Sequence, residues 1–204
     1  MDDFVNHWHG HPRPEVDVTI MPFNQVVTQL ESIKSSIYFK AIPSDMIPTE
    51  ADNGDLDAIE EVLFIGYPNG ILDEVNLSPI IRRGITATPI HLDYQGEPTF
   101  LMDASVFPGS SGSPVLISNS LPYVTRDGTM KLGNPRRYLL GTEAKVMIRQ
   151  EHGQVHFAPI PMSIQPTYTT TQMIDLGVVY KASTIMETID DLLVRSGRIA
   201  QQAP

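Results

Sequence analysis

The chain has 204 residues, with 24 acidic against 14 basic side chains for a formal charge of −10, 41% apolar residues and no cysteine. Its 17 prolines and 14 glycines are too many for a helical bundle, and 19% charged residues is too few for a disordered acidic tail. Scattered Lys and Arg exclude the basic field that nucleic acid or an anionic membrane requires, and the lack of Cys excludes disulfides and thiolate zinc sites.

This length accommodates one domain or a pair of small β-domains. Apolar runs such as Val62 to Ile65 are far too short to span a bilayer, and the start Met1-Asp-Asp lacks the basic residues of a secretory signal. A cytoplasmic location is the expectation.

In chain order, His7, His9 and His11 come first, at alternate positions around Trp8 and Gly10. On a strand they project from one face, a set able to hold zinc, nickel or copper. Neighbouring side chains on one strand diverge, however, and exposed residues at a terminus are the plainer reading, with no metal expected. Strands follow at 16–22, 35–42, 62–67, 80–88, 98–104, 114–118, 138–148, 154–159 and 173–180, each a β-branched or aromatic run bounded by Pro, Gly, Asn or Asp. Pro68-Asn69-Gly70, Pro108-Gly109 and Gly133-Asn134-Pro135 are the clearest turns. Between Glu50 and Glu61 lie six carboxylates, read as a solvated loop because their spacing misses the EF-hand pattern. Thr184 and Glu187 have capping-box spacing, apolar residues at 185, 186, 189, 192 and 193 make one helical face, and Gly197 is placed to end the helix.

The sharpest local signal is Pro108-Gly-Ser-Ser-Gly-Ser-Pro-Val115, set between two apolar strands. Gly109 lets the backbone approach a ligand closely with its N–H groups converging, and Gly112 removes bulk beside the hydroxyl of Ser111. This loop resembles the Gly-x-Ser-Gly-x-Pro active-site loop of trypsin-like (chymotrypsin-fold) serine peptidases, particularly their cysteine-free bacterial members. The flanking order of Val62 to Pro68, Ile81 to Ile85, the strand before Ser111, and Tyr138 to Val146 is similar to the second barrel of that family.

The resemblance implies an all-β, chymotrypsin-like double β-barrel. Residues 46–182 would be the complete C-terminal barrel, 1–45 the tail of the N-terminal barrel, and 183–197 a C-terminal α-helix. It implies Ser111 as nucleophile, the amides of Gly109 and Ser111 as oxyanion hole, and Asp17, in Val16-Asp-Val-Thr-Ile20, as the acid that orients an imidazole. Ser105, six residues before the nucleophile, would lie at the base of the primary pocket. A neutral hydroxyl there implies a small or apolar side chain at the cleavage site. Thr142, Glu143 and Ala144, with Lys145, would line the groove and bind substrate backbone. No cofactor is implied. Two departures stand out: Ser113 where a second glycine is usual, and Ser110 where many animal members carry an aspartate.

The family histidine precedes the aspartate by several tens of residues, and only sixteen residues precede Asp17. His11 is the best-placed base, yet six extended steps span roughly 20 Å, so a turn at Pro12-Arg-Pro14 would have to close the distance. His91, His152 and His156 follow Asp17, against the family order. Three explanations stay open: a fragment of a longer peptidase, a barrel completed by a missing N-terminal segment or a partner chain, or a non-catalytic pseudo-peptidase that binds extended peptide or a partner. The expected partner is a peptide or protein substrate, with no nucleic acid and no membrane.

Overall fold

The computed structural model describes residues 7–35, 37–119, 122–133, 135–154 and 167–198. The chain opens with a small antiparallel ribbon of β1 (His9–Gly10) and β2 (Thr19–Ile20), which sets His9 opposite Ile20. Between them the backbone doubles back: His11 N–H donates to Val18 O at 2.9 Å, Val16 N–H to Arg13 O at 3.1 Å, and Val18 N–H to Val16 O at 2.9 Å. These tight bonds curl residues 16–18, so the strand expected over 16–22 narrows to Thr19–Ile20.

Helix α1 (Phe23–Ser32) comes next, where the sequence reading placed no element. Phe23, Val26, Val27 and Leu30 do follow helical spacing, but none of its residues is buried. The strand expected over 35–42 is absent among the described residues. Residues 37–42 are irregular and expose Ile37, Tyr38 and Phe39, because no neighbouring strand is there to pair with them.

Part of the acidic segment is helical. In α2 (Glu50–Asp55), Thr49 and Asp52 form a capping box, with Thr49 N–H donating to the Asp52 carboxylate at 2.8 Å and Asp52 N–H to Thr49 Oγ1 at 3.2 Å. Tyr138 also donates to that carboxylate at 2.8 Å. These bonds, that of the Thr49 hydroxyl foremost, hold Asp52 below the usual carboxylate range.

The strands β3 (Glu61–Gly66), β4 (Ile80–Thr86), β5 (Thr99–Asp103), β6 (Pro114–Asn119), β9 (Arg136–Gln154) and β10 (Thr167–Lys181) close into a six-stranded barrel, all neighbours antiparallel, in the order β10-β5-β4-β3-β6-β9. A short hairpin of β7 (Tyr123–Val124) and β8 (Met130–Lys131) joins β6 to β9. Alternation decides what faces in: Val62 and Phe64 from β3, Val115 and Ile117 from β6 and Val179 from β10 are buried, together with Phe100, Met102 and Leu140. Beyond the barrel β9 and β10 continue as a ribbon from Met173 opposite Ile148 to Thr167 opposite Gln154. The strand read at 154–159 lies outside the described residues apart from Gln154.

Helix α3 (Ala182–Arg195) follows β10 directly. It begins two residues earlier than the expected capping box, so Thr184 sits inside the first turn and its hydroxyl donates to Lys181 O at 2.8 Å, while Gly197 takes a positive φ of 68° just past the end. A second, small core of Val16, Val18 and Tyr180, with Ala144 and Ile185 against it, fixes the N-terminal stretch to the barrel and α3. No helix among the described residues is long and apolar enough to cross a membrane.

Candidate active site

The loop from Phe107 to Ser113 leaves β5 and enters β6, and its shape follows from its two glycines. Gly109 and Gly112 have φ of 88° and 86°, a region costly for residues with a Cβ. Ser110 N–H donates to Phe107 O at 3.1 Å and Ser113 N–H to Ser110 O at 2.9 Å, two successive turns that leave Ser111 exposed at the apex. The loop is held from outside as well. Asn69 N–H donates to Pro108 O at 2.7 Å, the Arg82 guanidinium lies 4.9 Å from the Phe107 ring centroid and 5.1 Å from that of Phe64, and a Cβ at Gly66 would run into Ser113 Oγ.

On its other side the loop is fastened to β9. Gly112 N–H donates to Glu143 O at 2.8 Å, and Glu143 N–H donates to Ser113 O at 2.9 Å. Ser111 Oγ donates to Ala144 O at 3.1 Å. The Gly109 and Ser111 amides donate to no backbone carbonyl among the described residues.

Ser111 opens into a cavity of about 370 Å³. Trp8, Asp17 and Thr19 contribute to its wall from the N-terminal stretch, and Gly112, Thr142, Glu143 and Ala144 from the loop and β9. Asp17 reaches it because its neighbours Val16 and Val18 are buried in the small core, which turns the aspartate outward. Ser111, Asp17, Thr142, Glu143 and Ala144 are therefore brought together. Gly109 and Ser105 are not part of the wall, and Ser105 is exposed.

His11 does not join them. Its side chain is fully buried, Arg13 N–H donates to Nδ1 at 3.0 Å, and Nε2 lies 3.1 Å from a Glu187 carboxylate oxygen on α3. Nδ1 is thus the acceptor and Nε2–H the donor, which leaves neither nitrogen free to take a proton from a serine. His9 Nε2 bonds a different carboxylate of α3, Asp191, at 2.8 Å. The reading of these histidines as exposed terminal residues fails for His11, which is buried against α3, and no cluster of three metal-ligating side chains occurs among the described residues. His91 lines a separate cavity of about 590 Å³, and His156 lies outside the described residues. Among the described residues, no histidine lines the Ser111 cavity.

Two features of the site were not read from the sequence. Trp8 and Thr19 line the cavity because the β1–β2 ribbon carries them there, and the lone tryptophan next to two histidines was the available signal. Glu143 was placed in the groove wall, but it is only 1% exposed and neither carboxylate oxygen has a partner among the described residues. Burial pushes this carboxyl up from 4.5 to about 7. Ser110 Oγ, also 1% exposed, is likewise without a partner.

No family model, no curated protein and no solved structure matches this chain.

Proposed function

We propose that the chain carries the nucleophile side of a trypsin-like serine peptidase site, in which Ser111 attacks a peptide carbonyl to give an acyl-enzyme. The observation that carries this reading is that Asp17 and Ser111, distant in sequence, line one cavity. A carboxylate and a serine hydroxyl facing a shared space suit an imidazole between them, oriented by the acid and taking the serine proton. The Gly109 and Ser111 amides would hold the oxyanion. From Ala144 onward β9 is paired with β10 alone, which leaves an open edge for an extended substrate to add as a strand.

In this reading the barrel is the second of a chymotrypsin-like pair, 46–182, with 1–45 as the tail of the first and 183–197 the closing helix. On this account no described residue supplies the imidazole to the cavity wall, and an N-terminal segment or a partner chain provides it. The exposed apolar side chains of Ile33, Ile37, Tyr38 and Phe39 fit such a covered face. Substrates are peptides or proteins, and the site is a cytoplasmic one.

A second reading, a non-catalytic groove that binds extended peptide or a partner chain, is favoured by the bond from Ser111 Oγ to Ala144 O and by the cavity wall without histidine. Free imidazole separates the two. With a fluorophosphonate probe, an adduct on Ser111 should grow with imidazole concentration, be absent from Ser111→Ala and be weakened in Asp17→Asn. No imidazole-dependent adduct would overturn the peptidase reading, and peptide binding retained by Ser111→Ala would then support the binding groove.

A further inference from the structure

Two of the alternating histidines near the N-terminus meet one helix. His9 Nε2 lies 2.8 Å from a carboxylate oxygen of Asp191, and His11 Nε2 lies 3.1 Å from one of Glu187. Residues two apart along extended chain are separated by about 6.6 Å, and residues four apart on a helix by about 6 Å along its axis, so the two imidazoles meet the two carboxylates in register. The His11 pair is the more closely built. Its imidazole is fully buried, Nδ1 accepts from Arg13 N–H at 3.0 Å, and Arg13 Nη2 donates to the same Glu187 oxygen at 3.1 Å. The turn that reaches Glu187 in this way also carries Asp17. His11 N–H donates to Val18 O and Arg13 O accepts from Val16 N–H, so both neighbours of Asp17 are tied to the residues that hold Glu187. Asp17 itself is exposed in the wall of the Ser111 cavity, and its main chain decides where it stands. Glu187 is a firm anchor, because α3 follows β10 without a loop and its Thr184 and Thr188 are fully buried, with hydroxyls donating to Lys181 O at 2.8 Å and Thr184 O at 2.6 Å.

We infer that His11 is a positioning residue of this site: as a neutral imidazole with its proton on Nε2, it hooks the turn that bears Asp17 onto Glu187 of α3 and so fixes where the acid stands in the Ser111 cavity. This rests on the reading of Asp17 as the acid of a peptidase site, although the hook itself needs no chemistry at Ser111. One protonation state serves both ends of the ring. Nε2–H is the donor that the Glu187 carboxylate requires, and the bare Nδ1 is the acceptor that Arg13 N–H requires. The other neutral tautomer reverses both, and an imidazolium loses the Arg13 bond. The bond to Glu187 ends on a charged oxygen and its imidazole is shut away from water, both of which strengthen it. Packing of Val16 and Val18 on Tyr180 presses the turn against the barrel, but apolar contact has no direction, and the bonds of the His11 ring supply it. His9 and Asp191 form a more open second hook, 17% and 21% exposed, in which Arg195 shares the carboxylate at 2.7 Å. Glu187 is therefore the partner whose loss releases the turn.

Three measurements on the 204-residue chain test this. Nitrogen-15 NMR of the imidazoles at pH 7.5 should show His11 as the Nε2–H tautomer, a signature that needs no variant to fold. Amide hydrogen exchange at His11, Val16 and Val18 should be about tenfold faster or more in Glu187→Ala, as the loss of one hydrogen bond to a charged group implies, with the amides of β3 and β6 unchanged. Glu187→Gln keeps an acceptor oxygen for Nε2–H and should stay within about threefold of wild type at the same amides. In the imidazole-dependent reaction of Ser111 with a fluorophosphonate, Glu187→Ala should slow adduct formation as Asp17→Asn does, and the two together should slow it no further than Asp17→Asn alone, because a displaced acid and a missing acid are equivalent. A residue that merely supports the fold would add its own cost to that of Asp17→Asn. An Nδ1–H or doubly protonated His11, exchange unchanged in Glu187→Ala or raised equally in the barrel, Glu187→Gln behaving like Glu187→Ala, or additive slowing would each overturn the assignment. If Ser111 takes no adduct even with imidazole, the peptidase reading falls, and the tautomer and the exchange rates still decide whether His11 holds the turn.

Discussion

Ser111 gives its hydroxyl hydrogen to the main-chain oxygen of Ala144 across 3.1 Å, where a nucleophile in working order would direct it to a base. A carbonyl is too weak a base to take that proton, so the hydroxyl stays at its ordinary, feeble nucleophilicity. The expected result is that the 204-residue chain alone, incubated with a fluorophosphonate probe, shows no added mass. Stoichiometric labelling that disappears in Ser111→Ala would place a working base inside this chain. Were His11 that base, it would have to give up its bonds to Glu187 and Arg13.

Glu143 predicts a pH dependence of stability with a definite sign. Burial pushes its carboxyl up to about 7 in the folded chain, from an ordinary 4.5. The folded state therefore holds the proton more tightly, and stability is greatest below the unfolded value and declines as pH rises from about 4.5 through 7. A shift of this size corresponds to about 3 kcal/mol between the two ends of that window. Urea denaturation of wild type and Glu143→Gln at pH 5 and pH 8 isolates it. The variant should lose most of that decline and be the more stable protein at pH 8. Parallel pH profiles for the two proteins would show that the carboxyl is not buried as described.

The glycines of the nucleophile loop are not equivalent, although both have positive φ. A Cβ on Gly109 would lie 2.8 Å from Tyr67 O and 3.2 Å from Asn69 N, whereas one on Gly112 would meet nothing within 4 Å. Gly112→Ala carries only the strain of its backbone angle, about 1 kcal/mol. Gly109→Ala adds a collision with main chain that cannot move without breaking the bond from Asn69 N–H to Pro108 O, so about 2–3 kcal/mol is expected. Equal denaturation midpoints for the two variants would contradict this.

What was legible in the sequence was local. Val62 and Phe64, alternating with less buried neighbours, mark a half-buried strand by themselves, and the Gly-x-Ser-Gly spacing marks a loop with two positive-φ positions. The stretch from Ile37 to Ile42 has the composition of a strand but no strand lies alongside it, and composition does not report the neighbour. Phe23 to Leu30 carried a helical period that the prolines around it, at 22 and 43, obscured. In the site, Ser111 and its glycines were legible because one loop encodes them. That Asp17 shares their cavity depends on Val16 and Val18 packing on Tyr180, a contact between distant parts of the chain. Glu143 was legible as part of the groove wall but not as buried, because buried unpaired carboxylates are rare enough that no local pattern announces one.

The opposite case, a buried carboxylate fully provided for, lies at the far end of the chain's core. Glu60 and Arg136 are 6% and 5% exposed and form an ion pair. The second carboxylate oxygen of Glu60 accepts from Asp57 N–H at 2.8 Å, Arg136 also donates to Asn119 Oδ1 at 3.0 and 3.1 Å, and its guanidinium lies 4.8 Å from the Tyr123 ring centroid. Replacing Arg136 with Met removes the countercharge and leaves Glu60 stranded, and an expected cost of about 3–5 kcal/mol follows from the uncompensated charge rather than from the lost bond. Adding Glu60→Gln to Arg136→Met should therefore restore part of the stability, although it removes one more native group. If the double variant is no more stable than Arg136→Met, the cost of losing Arg136 does not come from a stranded Glu60 charge, because Gln keeps an acceptor oxygen for Asp57 N–H and removes only that charge.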